Sequence, residues 1–139
     1  MSWFRDNLDI IEVGLNGESD VRDWFKSKKI PFMQVDIMFK YKREWCLGEI
    51  KTQEKFTKNI SRGELYDGHG LPHWQIKRRI EFYEDTGIIP YLIVKDPDDN
   101  CLYINDLPTL LDGEHFKTKG KNPRVIFNIS SFKKISLNG

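Results

Sequence analysis

The sequence predicts an α/β fold, with elements in the order α-β-β-α-β-β-β, and three stretches carry that expectation. Residues 34–52, QVDIMFKYKREWCLGEIKT, alternate with period two on either side of a charged turn at Tyr41-Lys42-Arg43-Glu44, the pattern of two paired strands. Residues 72–86 open on Pro72, keep Ile76, Ile80 and Tyr83 on one stripe and stop at Gly87, which suits a helix with a proline first position and a glycine C-cap. Ile88 to Val94, IIPYLIV, is a continuous apolar run, as expected of a buried strand.

The remaining elements follow in chain order. Residues 10–13 suit a short strand, and Asn16 is a helix N-cap candidate with Glu18 and Asp20 in the favourable acidic first turn. Val21, Trp24 and Phe25 repeat at helical spacing to about Lys28, and Pro31 stops the helix before the hairpin. Residues 53–71 show no clear periodicity and contain three glycines, so they read as a long polar loop. After the second helix and the apolar strand, Asp96 to Asn100 form a turn and CLYI a returning strand. Residues 105–113 suit a single helical turn ending at Gly113, KTKGKNPR a basic loop, and Val125 to Ile129 a final strand at a sheet edge. There is no internal repeat or domain linker.

At 139 residues the chain is long enough for one domain spanning 1–139. Its 39% hydrophobic and 31% charged residues describe a soluble globular protein. A net charge of +1 argues neither for nor against nucleic acid, because a basic face can sit within a balanced total. No apolar run approaches a membrane span of about 18 residues, and MSWFRDNLD lacks the apolar core of a secretory signal. Cys46 and Cys101 make no disulfide framework. A cytoplasmic protein with reduced thiols and no membrane partner is expected.

The hairpin carries the chemistry. A tight turn centred between Lys42 and Arg43 opposes residues whose numbers sum to 85, which places Asp36 across from Glu49 on one face, with Lys51 one step along. Opposed Cβ atoms lie about 5 Å apart, where two ionised carboxylates repel unless a positive group stands between them. A divalent cation with hard oxygen ligands resolves the conflict, and Mg²⁺ needs only one or two carboxylates besides water and phosphate. The alternative is a solvated, salt-bridged hairpin. Trp45, Leu47 and Met38 on the same face favour a face that is at least partly covered. Glu49-Ile50-Lys51 is also the only acid-x-Lys triplet in the chain.

An Asp on one strand, twelve intervening residues, then Glu-Ile-Lys on the next, followed by a helix and a buried strand, resembles the PD-(D/E)XK nuclease superfamily. The likeness covers roughly residues 16–95 and is nearest in flavour to small Holliday-junction-resolvase-like and phage or repair nucleases. It implies a restriction-endonuclease-like fold, a central mixed β-sheet flanked by helices. It further implies that Asp36, Glu49 and the Ile50 carbonyl hold Mg²⁺ or Mn²⁺, and that Lys51 positions or activates water. A first-helix glutamate often completes such sites; Glu18 fills that role here, with Asp20 and Glu12 as competitors. Gln75 occupies the place of a glutamine on the following helix. The chain departs from the pattern at Val35, where proline is usual, and has only PFMQV where a further strand is expected.

The implied activity is metal-dependent hydrolysis of DNA phosphodiesters by an endonuclease, branched DNA being one candidate substrate, with DNA favoured over RNA and a homodimer as the expected assembly. Lys55, Lys58, Arg62, His73, Lys77, Arg78 and Arg79 are the candidates for contacting the nucleic acid. The competing expectation is a catalytically silent module of the same fold that binds nucleic acid or a protein. His69 and His73 would suit zinc on one helix, but Gly70 and Pro72 between them oppose a helix. Trp74 is assigned to the core.

Overall fold

The computed structural model describes residues 17–61 and 64–137. The chain divides into two compact units, Met1–Gln34 and Val35–Gly139. In the first, α1 (Gly17–Ser27) is an amphipathic helix with Lys26 in its last turn, where a cation complements the carbonyl end. The Trp24 and Phe25 rings meet edge-on at 5.2 Å, and Phe25 lies 5.8 Å from Phe32. The chain leaves α1 through Lys29 at φ 56°, with the Ile30 amide bonded back to the Phe25 carbonyl. Asn16 and the strand expected over 10–13 lie outside the described residues.

The second unit is mixed α/β. It contains β1 (Ile37–Tyr41), β2 (Glu44–Thr52), β3 (Phe56–Ser61), β4 (Glu64–Pro72), α2 (His73–Thr86), β5 (Ile89–Asp96), β6 (Cys101–Asp106), α3 (Leu107–Asp112), β7 (His115–Lys117), β8 (Arg124–Asn128) and β9 (Lys133–Ser136). The strands form a five-stranded sheet in the order β1-β2-β5-β6-β9 and a four-stranded sheet in the order β3-β4-β8-β7. Only β2 and β5 run parallel, so the five-stranded sheet is mixed.

Local signals account for most of these boundaries. Lys42 and Arg43 both adopt left-handed backbone, φ 50° and 67°, which makes the two-residue turn that matches strand twist. Gly87 closes α2 at φ 75° with its N–H on the Tyr83 carbonyl. Asp106 caps α3 by accepting from the Thr109 N–H, Pro108 occupies its first turn, and Gly113 ends it. In β5 burial alternates strictly, with Pro90, Leu92, Val94 and Asp96 inward.

Two expectations are corrected. Residues 53–71 are not a loop: they supply β3 and β4, half of the second sheet. Their period is hidden because two of the buried positions on β4 are Gly68 and Gly70. A Cβ at either would collide with a β8 carbonyl, that of Phe127 or Val125 respectively. Nor is Val125–Ile129 a final edge strand. β8 lies between β4 and β7 inside the four-stranded sheet, and the last strand, β9, is an edge of the five-stranded one. The core collects Leu71 of β4, Ile76 of α2, Leu92 and Val94 of β5, Tyr103 of β6, Leu107 and Leu110 of α3 and Phe127 of β8. Each such buried apolar side chain is worth about 1.5–3 kcal/mol relative to exposure.

Candidate active site

The hairpin register is the one the turn dictates: Ile37 pairs with Gly48, Met38 with Leu47, Phe39 with Cys46 and Lys40 with Trp45. Asp36 stands one residue before β1 and ends the ladder with its side chain. Its Oδ2 accepts from the Ile50 N–H at 2.8 Å, so the carboxylate is fixed on the peptide that joins Glu49 to Ile50. Glu49 is buried, at 5% exposure. Its Oε2 accepts from the Arg79 guanidinium at 2.8 Å, and its Oε1 accepts from the Gln75 amide, with the Lys51 ammonium at 3.6 Å. Gln75 and Arg79 are four apart on α2 and so share the helix face that meets β2.

Asp36, Glu49, Ile50, Lys51 and Gln75 are therefore gathered at one place. Glu18 lies within α1, its side chain outside the described residues; Glu12 and Arg62 are outside them altogether. Asp20 is an exposed residue of α1. Arg79 does not join Lys77 and Arg78 on the outer face of α2 as expected, because the carboxylate of Glu49 draws it inside, where it is 5% exposed. Lys77 and Arg78 are exposed, as is Lys58, whose ammonium sits 4.8 Å from the centre of the Phe116 ring. His73 is half-buried at the start of α2 and donates its backbone N–H to the Pro123 carbonyl. The hairpin face is covered only in part: Leu47 and Glu49 are buried, while Met38 and Trp45 are 42% and 55% exposed; Trp74, assigned to the core, is 58% exposed.

Lys55, expected at the nucleic-acid surface, is instead committed to acids. Its ammonium lies 2.7 Å from Asp96 and 2.5 Å from Asp99. Around it is a polar cluster that the sequence did not reveal. His69 is fully buried on β4, with Nδ1 3.0 Å from Gln53 Oε1 and Nε2 3.1 Å from Asp96 Oδ2. Gln53 is tied in turn to Gly70, accepting from its N–H and donating to its carbonyl. Tyr103 donates to Asp99 at 2.6 Å. This ring of bonds occupies both His69 nitrogens within the protein, which leaves neither for zinc.

Charge and burial oppose each other in the cluster. Burial works against the Lys55 charge, but the hydrogen bonds to Asp96 and Asp99 outweigh it and push its pKa up. Burial would raise Asp96, yet the bonds from Lys55 and His69 hold it below the usual carboxylate value. Lys55 and Tyr103 hold half-buried Asp99 at about 2. For His69 burial wins over the pull of Asp96, and the imidazole is pushed down.

No family model, curated protein or solved structure matches this chain. Its chemistry must be read from the site alone. Among the described residues no three His, Cys, Asp or Glu side chains cluster to cage a metal ion. Asp36 and Glu49 are hard oxygen donors, Asp36 being bonded to the peptide that follows Glu49, and the Ile50 carbonyl is a third such donor. That set suits Mg²⁺, which keeps several waters and takes its remaining ligands from substrate phosphate. Both oxygens of Glu49 already face donors from Lys51, Gln75 and Arg79, so an ion there shares the carboxylate with them.

Proposed function

We propose that this protein is a Mg²⁺- or Mn²⁺-dependent phosphodiesterase acting on DNA, built on a restriction-endonuclease-like scaffold of the PD-(D/E)XK kind. The observation that carries the reading is the contact between the Asp36 carboxylate and the Ile50 N–H, which brings one acid to the strand segment that bears the other acid and its lysine. A mixed sheet with parallel β2 and β5, and α2 following the motif, is compatible with that scaffold.

In this reading Asp36, Glu49 and the Ile50 carbonyl hold the ion, which supplies Lewis-acid polarisation of the phosphate and a bound water of lowered pKa. The protein's own groups do the rest. Arg79 and Gln75 fix the direction of the Glu49 carboxylate. The Lys51 ammonium, a third exposed, orients the attacking water or offsets charge that builds on the phosphoryl oxygens. Exposed Lys77 and Arg78 are candidates for the DNA backbone.

One observation favours a second reading. Arg79 and Lys51 already balance Glu49 with no ion, as in a structural ion pair, and a silent module binding nucleic acid or protein would have the same arrangement. Cleavage separates the two. With Mg²⁺ or Mn²⁺ the wild-type protein is expected to cut at least one of duplex, branched or single-stranded DNA, while Glu49→Gln and Lys51→Ala lose at least about a hundredfold in rate, the scale of one electrostatic or proton-handling group. If wild type and variants are equally inert on all of these and on RNA, the silent module stands.

A further inference from the structure

The hairpin face that bears the acids does not end at them. By strand alternation Asp36, just before β1, and Met38 and Lys40 of β1 share it with Trp45, Leu47, Glu49 and Lys51 of β2. Leu47 and Glu49 are covered, but Asp36, Met38 and Lys40 are all exposed along an edge strand of the sheet. At the far end of this open row Lys40 is paired with Trp45, its ammonium 6.0 Å from the centre of an indole that is 55% exposed. Four residues of strand separate Asp36 from Lys40, about 13 Å at the usual rise. The turn beyond carries Lys42 and Arg43; Lys42 lies 5.3 Å from the ring of Tyr41, which is 45% exposed and belongs to the other face of the hairpin.

The Trp45 ring is 55% exposed, with the Lys40 ammonium over it and Met38 and Leu47 along the same face. We propose that this end of the hairpin binds unpaired nucleotides, a base stacking on Trp45 while Lys40 and the turn cations meet the flanking phosphates. The indole offers its face to any base, but only to one that is out of a duplex stack. The β1 row then leads the strand to Asp36. The substrate class that follows is DNA with a single-stranded segment, such as a flap, fork or tail. This assignment rests on the phosphodiesterase reading for its connection to the site, but its test does not.

The experiment is binding of labelled oligonucleotides by fluorescence anisotropy in EDTA, where no cleavage occurs. Wild type is expected to bind a single strand more tightly than a blunt duplex of the same length. Trp45→Ala is expected to weaken single-strand binding about tenfold or more, the worth of one base–aromatic stack, and Trp45→Phe to keep most of it. Trp74→Phe is expected to bind as wild type. Trp45 is exposed, so the variants should fold, which a thermal melt checks. Equal affinity of Trp45→Ala and wild type for the single strand, or a duplex bound as well as the single strand, overturns the proposal. The two readings fail separately. Loss of binding in Trp45→Ala without cleavage of any substrate by wild type would keep the binding surface and remove the enzyme. Cleavage unaffected by Trp45→Ala would do the reverse.

Discussion

Removing the Arg79 guanidinium isolates the energetics of the site. Arg79 and Glu49 are 7% and 6% exposed at their side chains and meet at 2.8 Å, so Arg79→Met leaves a carboxylate in a covered position without its closest cation. Breaking a buried pair from one side costs about 3–5 kcal/mol. Glu49 keeps Gln75 and the more distant Lys51 at 3.6 Å, which points to the lower end, about 3 kcal/mol. Replacing both partners, Arg79→Met with Glu49→Leu, removes the stranded charge as well and should return stability to within about 1 kcal/mol of wild type. Urea denaturation of the four proteins in the cycle, at unchanged m-value, measures this. A single-variant loss below about 1 kcal/mol, or a double variant no more stable than Arg79→Met, would refute the idea that Glu49 depends on Arg79 for its charge balance.

Gly70→Ala should destabilise by about 1–3 kcal/mol, because its Cβ meets the Val125 carbonyl and comes within 2.9 Å of Ile126 Cδ1; a loss of only a few tenths in urea melts would mean β4 and β8 separate easily. Arg43→Gly should stabilise by about 1 kcal/mol by relieving a non-glycine left-handed residue at φ 67°, seen as a higher melting temperature together with weaker oligonucleotide binding. The polar cluster should make stability pH-dependent. His69, pushed down by burial, contributes fully above the ordinary imidazole value of about 6.5 and loses that contribution as pH falls below it. Asp96 and Asp99, both held down, add a second loss below the ordinary carboxylate value of about 3.9. Lys55, pushed up, gives its contribution below about 10.4 and loses it as pH rises through that value. Melting temperatures from pH 3 to 11 should form a plateau between about 6.5 and about 10.4, and His69→Gln should flatten the slope just below pH 6.5. An unchanged slope in that variant would dismiss His69 as its source.

The hairpin was legible because everything that specifies it is local. Two strands, a two-residue turn and strict alternation fix the register, and Asp36, Glu49 and Lys51 follow from it. The helix that carries Gln75 was legible for a similar reason, since Pro72 and Gly87 bracket α2, whereas the contact of Gln75 with Glu49 was not. What escaped depends on pairing across long stretches of chain. β4 has glycine where its partner's backbone passes closely, so no apolar alternation marks it. β8 reads as an edge because nothing local says that β7 will pair on its other side. The inward turn of Arg79 was equally hidden: in sequence it is one of three consecutive basic residues, and only the carboxylate of a distant strand singles it out. The cluster of Gln53, Lys55, His69, Asp96 and Asp99 draws on three separate segments, each of which looks like ordinary loop or strand chemistry by itself.

The junction at Pro72 has a wider consequence. β4 runs into α2 with no spacer, Pro72 pairs with Arg124, and the next residue's N–H is held by Pro123. Gln75 begins three residues later. The groups that grip Glu49 are thus hung from a sheet to which the hairpin does not belong, like a bracket bolted to the opposite wall. Any shift of β8 tilts that bracket, so evolution or an engineer has a remote screw with which to tighten or slacken the carboxylate without touching a residue beside it.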